Sequence, residues 1–187
     1  MFGGQSFLSY TLSAWIPSMV AAASVSPMHY SIIMVVFNFI GLPVSMIIPF
    51  FVARTRRRYH VLYLAGITSI QLIVIVLFRF HAVLGTSYWY LFSIVSCIFF
   101  TSLFVMVLTF YPIKTLTSAD TADISGISQS AGYFIASLGP VLYGSMYGDG
   151  VPTLSFAWAM AGVVIFNAWC AWQVIRLNKF GLSTLQA

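Results

Sequence analysis

Glutamate is absent from this 187-residue chain, and aspartate occurs three times, as Asp120, Asp123 and Asp149. Charged residues of both signs make up only 6% of it. A soluble domain carries roughly 25%, because its surface must face water. The shortage excludes an ordinary soluble enzyme, a disordered chain and a nucleic-acid binder. The two cysteines, Cys97 and Cys170, fall inside apolar runs and offer neither a disulfide framework nor a metal site. His29, His60 and His81 lie in or beside connectors, no two at i,i+4 spacing, and no carboxylate stands near enough to complete a ligand set. No metal or cofactor is therefore expected. An intramembrane enzyme or proton relay needs ionisable groups in the bilayer, and only Arg79 comes near, at a span end where it can snorkel.

Apolar character fills the space that charge leaves. Hydrophobic residues reach 60% and aromatic residues 17%, and the mean hydropathy is +0.97. A helix needs roughly 20 apolar residues to cross the hydrocarbon core. Six runs qualify, over 2–23, 32–53, 61–80, 88–111, 124–147 and 153–175. They are joined by short connectors with turn chemistry, such as 24–27 and 148–152. Barrel strands would alternate with period two in pieces of about ten residues, and no such alternation is present. The predicted fold is an all-α, polytopic membrane bundle of six transmembrane helices, forming one domain.

Six crossings sort the basic residues into two sets. Arg54, Arg56, Arg57, Arg58, Lys114, Arg176 and Lys179 share one face, and Arg79 has the other. The positive-inside rule then places both termini in the cytoplasm, in an inner membrane. The loop cluster Arg54, Arg56, Arg57 and Arg58 is a topology determinant beside anionic lipid headgroups. Ala21-Ala22-Ala23 imitates a signal-peptidase site, but no basic region precedes it and Gln5, Tyr10, Trp15 and Pro17 interrupt the core. Only Met1 stands ahead of the first run, which suggests a chain that begins partway through something larger.

Uncharged polar and aromatic residues remain as site candidates. The first run carries Gln5, Ser6, Ser9, Tyr10, Ser13 and Trp15, with Gln5, Ser9 and Ser13 on one helical face before Pro17. Such a stripe faces a watery path or bonds to a neighbouring helix. Asn38 reads as a lone buried amide in the second run, either helix glue or a solute ligand. In the fifth run Ser125, Ser128, Gly132, Ala136 and Gly139 form a small-residue packing face, while Gln129 and Tyr133 project beside it, with Pro140 beyond. Ser118, Asp120 and Asp123 read as capping residues at the head of that helix.

These features resemble a known pattern. Residues 2–5 through Trp15-Ile16-Pro17 are similar to the opening helix of the second half of a major facilitator superfamily transporter, in the branch of the bacterial cyanate and nitroimidazole permeases. Gly41-Leu42-Pro43, followed by 49–54 and the arginine run, resembles the superfamily's inner loop motif in its second-half copy. Ser128 through Tyr133 and Leu138-Gly139-Pro140 resemble the branch's eleventh helix. The likeness covers essentially all of the chain. Against the motif Gly-x-x-x-Asp-Arg-x-Gly-Arg-Arg, however, Pro49, Ala53 and Arg56 replace Gly, Asp and Gly, so the gating contact of that Asp does not carry over.

The resemblance implies a secondary transporter of a small polar or anionic solute, built from two six-helix halves with the solute held between them. This chain corresponds to the C-terminal half. The N-terminal half would come from the same polypeptide, a separate chain or a second copy. The resemblance further implies that the first, second, fourth and fifth helices border the cavity, with Gln129 and Tyr133, then Gln5, Tyr10 and Trp15, on the solute path. The competing expectation is a non-transporting membrane protein that binds a partner through small-residue helix faces.

Overall fold

The computed structural model describes residues 1–147 and 153–179. The connector at 148–152, with Asp149, and residues 180–187 lie outside that range. Among the described residues the fold is all helix, with no strand. The helices are α1 (Phe2–Ala22), α2 (Pro27–Phe39), α3 (Gly41–Arg54), α4 (Arg57–Leu77), α5 (His81–Leu84), α6 (Thr86–Lys114), α7 (Ser118–Met146) and α8 (Leu154–Arg176), with a 3-10 turn over Phe78–Phe80.

They assemble into six rods. α2 and α3 form one, because Ile40 keeps helical angles (φ −62°, ψ −22°) between them. The ladder is interrupted there since Pro43 has no N–H to return to the Phe39 carbonyl. α4, the 3-10 turn and α5 form another. Gly85, at φ +55°, supplies the left-handed residue that reverses the chain into α6. Four rods are long and apolar enough to cross a membrane: Pro27–Arg54, Arg57–Leu84, Thr86–Lys114 and Leu154–Arg176. The other two, α1 and α7, have the length, at 21 and 29 residues, but are the polar pair. The rods start and stop within a few residues of the expected runs. The main differences are at Ser118, six residues before the expected 124, at Pro27, where a proline suited to a first helical turn starts the rod five residues early, and at Arg57, four residues before the expected 61.

The head of α7 differs from the sequence reading. Its cap is Thr117 rather than Ser118. Thr117 Oγ1 accepts from the Asp120 N–H at 3.1 Å and donates to Asp120 Oδ2 at 2.7 Å. This reciprocal arrangement satisfies a helix-terminal amide and puts a carboxylate at the positive end of the dipole. Asp123 lies a turn further in.

α6 runs through the middle of the bundle, touching α1, α2, α3, α4 and α7. Trp89, Phe99, Leu103 and Met106 are fully buried along it. α4 is tied to α6 by polar contacts at three levels: the half-buried Tyr63 Oη with Ser102 Oγ (2.7 Å), and the buried Gln71 Nε2 to Ser96 Oγ (3.2 Å) and Tyr88 Oη to the Val74 carbonyl (3.4 Å). α1 lies lengthwise on α7. A Cβ on Gly3 would sit 3.2 Å from Gly132 Cα, one on Gly139 would sit 2.9 Å from the Phe7 carbonyl, and one on Gly144 would meet Trp15 at 2.8 Å. Backbones this close gain dispersion contacts that lipid cannot replace.

The alternating rods bring the basic residues of 54–58, Lys114 and Arg176 to one end of the bundle, and Arg79 to the other. Lys114 donates to the Ile175 carbonyl at 3.2 Å and to that of Leu177, closing the end of α8. Arg176 lies over the Trp172 ring at 4.5 Å, and Arg58 over Tyr59 at 4.7 Å.

Gly139→Ala should destabilise the bundle by about 1–3 kcal/mol, since its methyl meets backbone that must shift. Gly162→Ala, where nothing lies within 4 Å, should leave stability unchanged or raise it. Thermal unfolding of both variants in detergent checks the difference.

Candidate functional site: a polar cleft between α1, α6 and α7

The polar face of α1 cannot be covered entirely by α7, because α7 offers mostly small residues where the two meet. What stays open is a cleft of about 210 Å³, lined by Gln5, Ser6, Ser9 and Tyr10 of α1, Phe100, Thr101 and Phe104 of α6, and Tyr133 of α7. Its floor is buried: Gln5 and Ser6 are 3% and 2% exposed, and Gln5 Nε2 donates to Ser6 Oγ at 2.6 Å. Its rim is open. Tyr10 and Tyr133, 45% and 40% exposed, lie nearly parallel at 16° with centroids 6.1 Å apart. Phe2 supports the Tyr133 ring edge-on at 5.0 Å. The cleft therefore offers hydroxyls and an amide below an aromatic rim, the usual makeup of a small-molecule site.

Two supports hold the cleft in shape. Gly41 lets α3 approach α6 so closely that a Cβ there would lie 2.6 Å from Thr101 Oγ1 and 3.2 Å from Cys97 Sγ. Asn167 of α8, 1% exposed, reaches the first turn of α1. With its amide turned to suit, it donates to the Met1 carbonyl at 2.8 Å and accepts from the Gln5 N–H at 3.0 Å.

The structure brings Gln5, Tyr10 and Tyr133 together. Gln129 lies one turn from Tyr133, half-buried and outside the lining. Trp15 does not line the cleft; its Nε1 donates to the Pro140 carbonyl at 3.0 Å, and its ring packs on Tyr143. Asn38, read from the sequence as a buried amide, is exposed and donates to the Met34 carbonyl of its own helix at 2.7 Å. The rod it belongs to has few neighbours on that side. Of the α7 small residues, Gly132, Ala136 and Gly139 are buried. Ser128 accepts from Tyr111 Oη of α6 at 2.7 Å, and Ser125 bonds within its own helix. Arg54, Arg56, Arg57 and Arg58 are exposed, far from the cleft along the rods.

His60 is buried rather than beside a connector, edge-on between Phe51 and Phe110, because α4 begins before it. His29 pairs with Tyr90 at 3.0 Å, and His81 with the Phe78 carbonyl at 2.8 Å. No group of three His, Cys, Asp or Glu that could hold a metal ion occurs among the described residues. Thr101 and Asn167 escaped the sequence reading. Both sit in runs whose apolar content hides single polar residues, and the signal available was the recurrence of Ser and Thr through α6.

The chain is 26% identical over 167 residues to an uncharacterised transporter, YycB, of Bacillus subtilis (strain 168). The match covers 89% of this chain and 39% of that relative, so the chain spans about two-fifths of its length. No family model matches, and no solved structure does. The similarity and the long apolar helices together describe a transporter-like, multi-pass membrane protein.

Asn167→Ala should remove both contacts to the first turn of α1 and cost about 1–2 kcal/mol in thermal unfolding, typical of polar contacts between membrane helices. Asn167→Asp, which retains the acceptor for Gln5 but not the donor for Met1, should also unfold more easily than the parent.

Proposed function

We propose that the chain is the C-terminal six-helix half of a secondary transporter of the major facilitator type, moving a small polar or anionic solute by alternating access. The carrying observation is the cleft itself: polar and aromatic side chains of α1, α6 and α7 converge on an open face of a membrane bundle. On this reading all six rods span the inner membrane, and α1 and α7 are the less apolar pair because one side of each borders water. The end carrying residues 54–58, Lys114 and Arg176 is cytoplasmic by the positive-inside rule, and both termini lie there.

A second six-helix bundle, from the same polypeptide, a separate chain or another copy, would close the cleft and rock against this one. The motif likeness of Gly41 to Pro43, of 49–58 and of 128–140 supports the superfamily and its cyanate and nitroimidazole permease branch. The transporter relative, of which this chain covers only part, supports a larger assembly. The role is transport and not catalysis. A partner-binding protein without transport is less well supported, because Gly132 and Gly139 are already engaged within the chain by α1 and Ala136 is buried.

Single cysteines test the aqueous path. In the complete protein in membranes, Tyr10→Cys and Tyr133→Cys should react readily with a membrane-impermeant thiol reagent. Ile73→Cys and Ile165→Cys, at exposed apolar positions of α4 and α8, should stay unmodified. Protection at both tyrosine positions would mean that the cleft is packed against protein or lipid, and the transport reading would be abandoned.

A further inference from the structure

Arg79 has no part in the cleft, and unlike several cations at the other end of the bundle it is not held. Arg58 and Arg176 lie over rings and Lys114 donates to carbonyls. The exposed Arg79 guanidinium makes no hydrogen bond, ion pair or ring contact among the described residues. It follows Arg57 by 22 residues. That is roughly 33 Å of helix, close to the thickness of a hydrocarbon core of about 30 Å. Arg79 therefore stands at headgroup depth, in the leaflet opposite the 54–58 cluster.

A groove of about 320 Å³ lies beside it, between α4 and α8, where α4 passes into the 3-10 turn. Its floor is the buried Ile75 of α4 and Ala157 of α8. Its rim is the exposed Val76, Leu154 and Trp158, with Arg79 toward the membrane surface. Apolar walls of this kind shed water: a cavity of about 150 Å³ lined by aliphatic and aromatic side chains stays dry and takes an apolar guest. None of the lining residues belongs to α1, α6 or α7, so a bundle seated over the cleft leaves the groove to the bilayer. An indole and a guanidinium at one depth are interfacial anchors. The groove also reaches Leu154, the first residue of α8, and the positive end of that helix favours a phosphate.

We infer that the groove between α4 and α8 binds one anionic phospholipid, with an acyl chain against Ile75, Val76 and Ala157 and the phosphate on Arg79. An apolar slot and an unpartnered cation meet at the depth where such a lipid changes from chain to headgroup, which is the complementarity that selects it. The inference does not rest on the solute path. It requires only that α4 and α8 cross the bilayer.

The test is native mass spectrometry of the complete protein in detergent, titrated with dioleoyl phosphatidylglycerol. The parent should retain one lipid per chain as the others are stripped. Arg79→Gln should weaken that retention about five-fold, the weight of one basic residue beside an anionic lipid. Val76→Trp, which fills the groove from an exposed position, should weaken it too, whereas Arg56→Gln removes the same charge at the opposite end and should not. Neither dioleoylglycerol, which lacks the phosphate, nor glycerol 3-phosphate, which lacks the chains, should displace the lipid. Retention unchanged in Arg79→Gln, or lost equally in Arg56→Gln, overturns the site, and displacement by glycerol 3-phosphate reduces it to a phosphate contact without a lipid. A doubled mass that Val76→Trp returns to a single chain would put a second copy in the groove instead. Asp149→Asn, in the connector that leads into α8, should leave the lipid bound as in the parent. A lipid that binds only after that change means Arg79 is paired within the chain, and the site is withdrawn.

Discussion

The close approach of α1 and α7 is the constraint on which the rest of the site depends. Lipid tails are as apolar as leucine, so two helices in a bilayer gain little by hiding apolar surface from it. They must gain by touching. Gly3 and Gly132, and Gly139 and Phe7, bring the backbones to contact distance, and Gly144 leaves room for the Trp15 ring. Trp15 then bridges to the Pro140 carbonyl across the interface. With the pair clamped at several levels, Tyr10 and Tyr133 are held face to face, and the polar residues of α1 beneath them are left partly uncovered.

Much of the architecture could be read from the chain. Rod positions followed from runs of about twenty apolar residues, and the sorting of basic residues followed from their count. The finer points resisted because they depend on partners that no local pattern names. Asn38 resembled a buried amide because every neighbour in sequence is apolar, yet α2 presents that side outward. Thr117 took the capping place from Ser118 because the extended backbone at Thr117 (φ −124°, ψ 161°) lets its hydroxyl reach the Asp120 amide.

The cleft was legible in part for the same reason. Gln5, Tyr10 and Tyr133 stand out as polar or amphipathic residues within apolar helices. Thr101 does not, since a threonine in a serine-rich stretch of α6 carries no mark of the direction it faces. Its place is set by Gly41 of another rod. Trp15, polar enough to suggest a path, spends its N–H on the α7 backbone instead. In each case the side chain's chemistry was visible and its partner was not.

The polar contacts between α4 and α6 have a mechanical consequence. Tyr63, Gln71 and Tyr88 meet their partners at three heights along the interface. Sliding one helix past the other would break all three, two of them where no water can substitute. With α8 packed on α4, these helices resist shear and move as a block. The rod of α2 and α3, interrupted at Ile40 and anchored to α6 beside Gly41, meets α6 through an exposed side-chain pair, His29 with Tyr90, rather than through buried crossbars. Elastic compliance is concentrated there: the bundle is a stiff frame carrying one jointed strut.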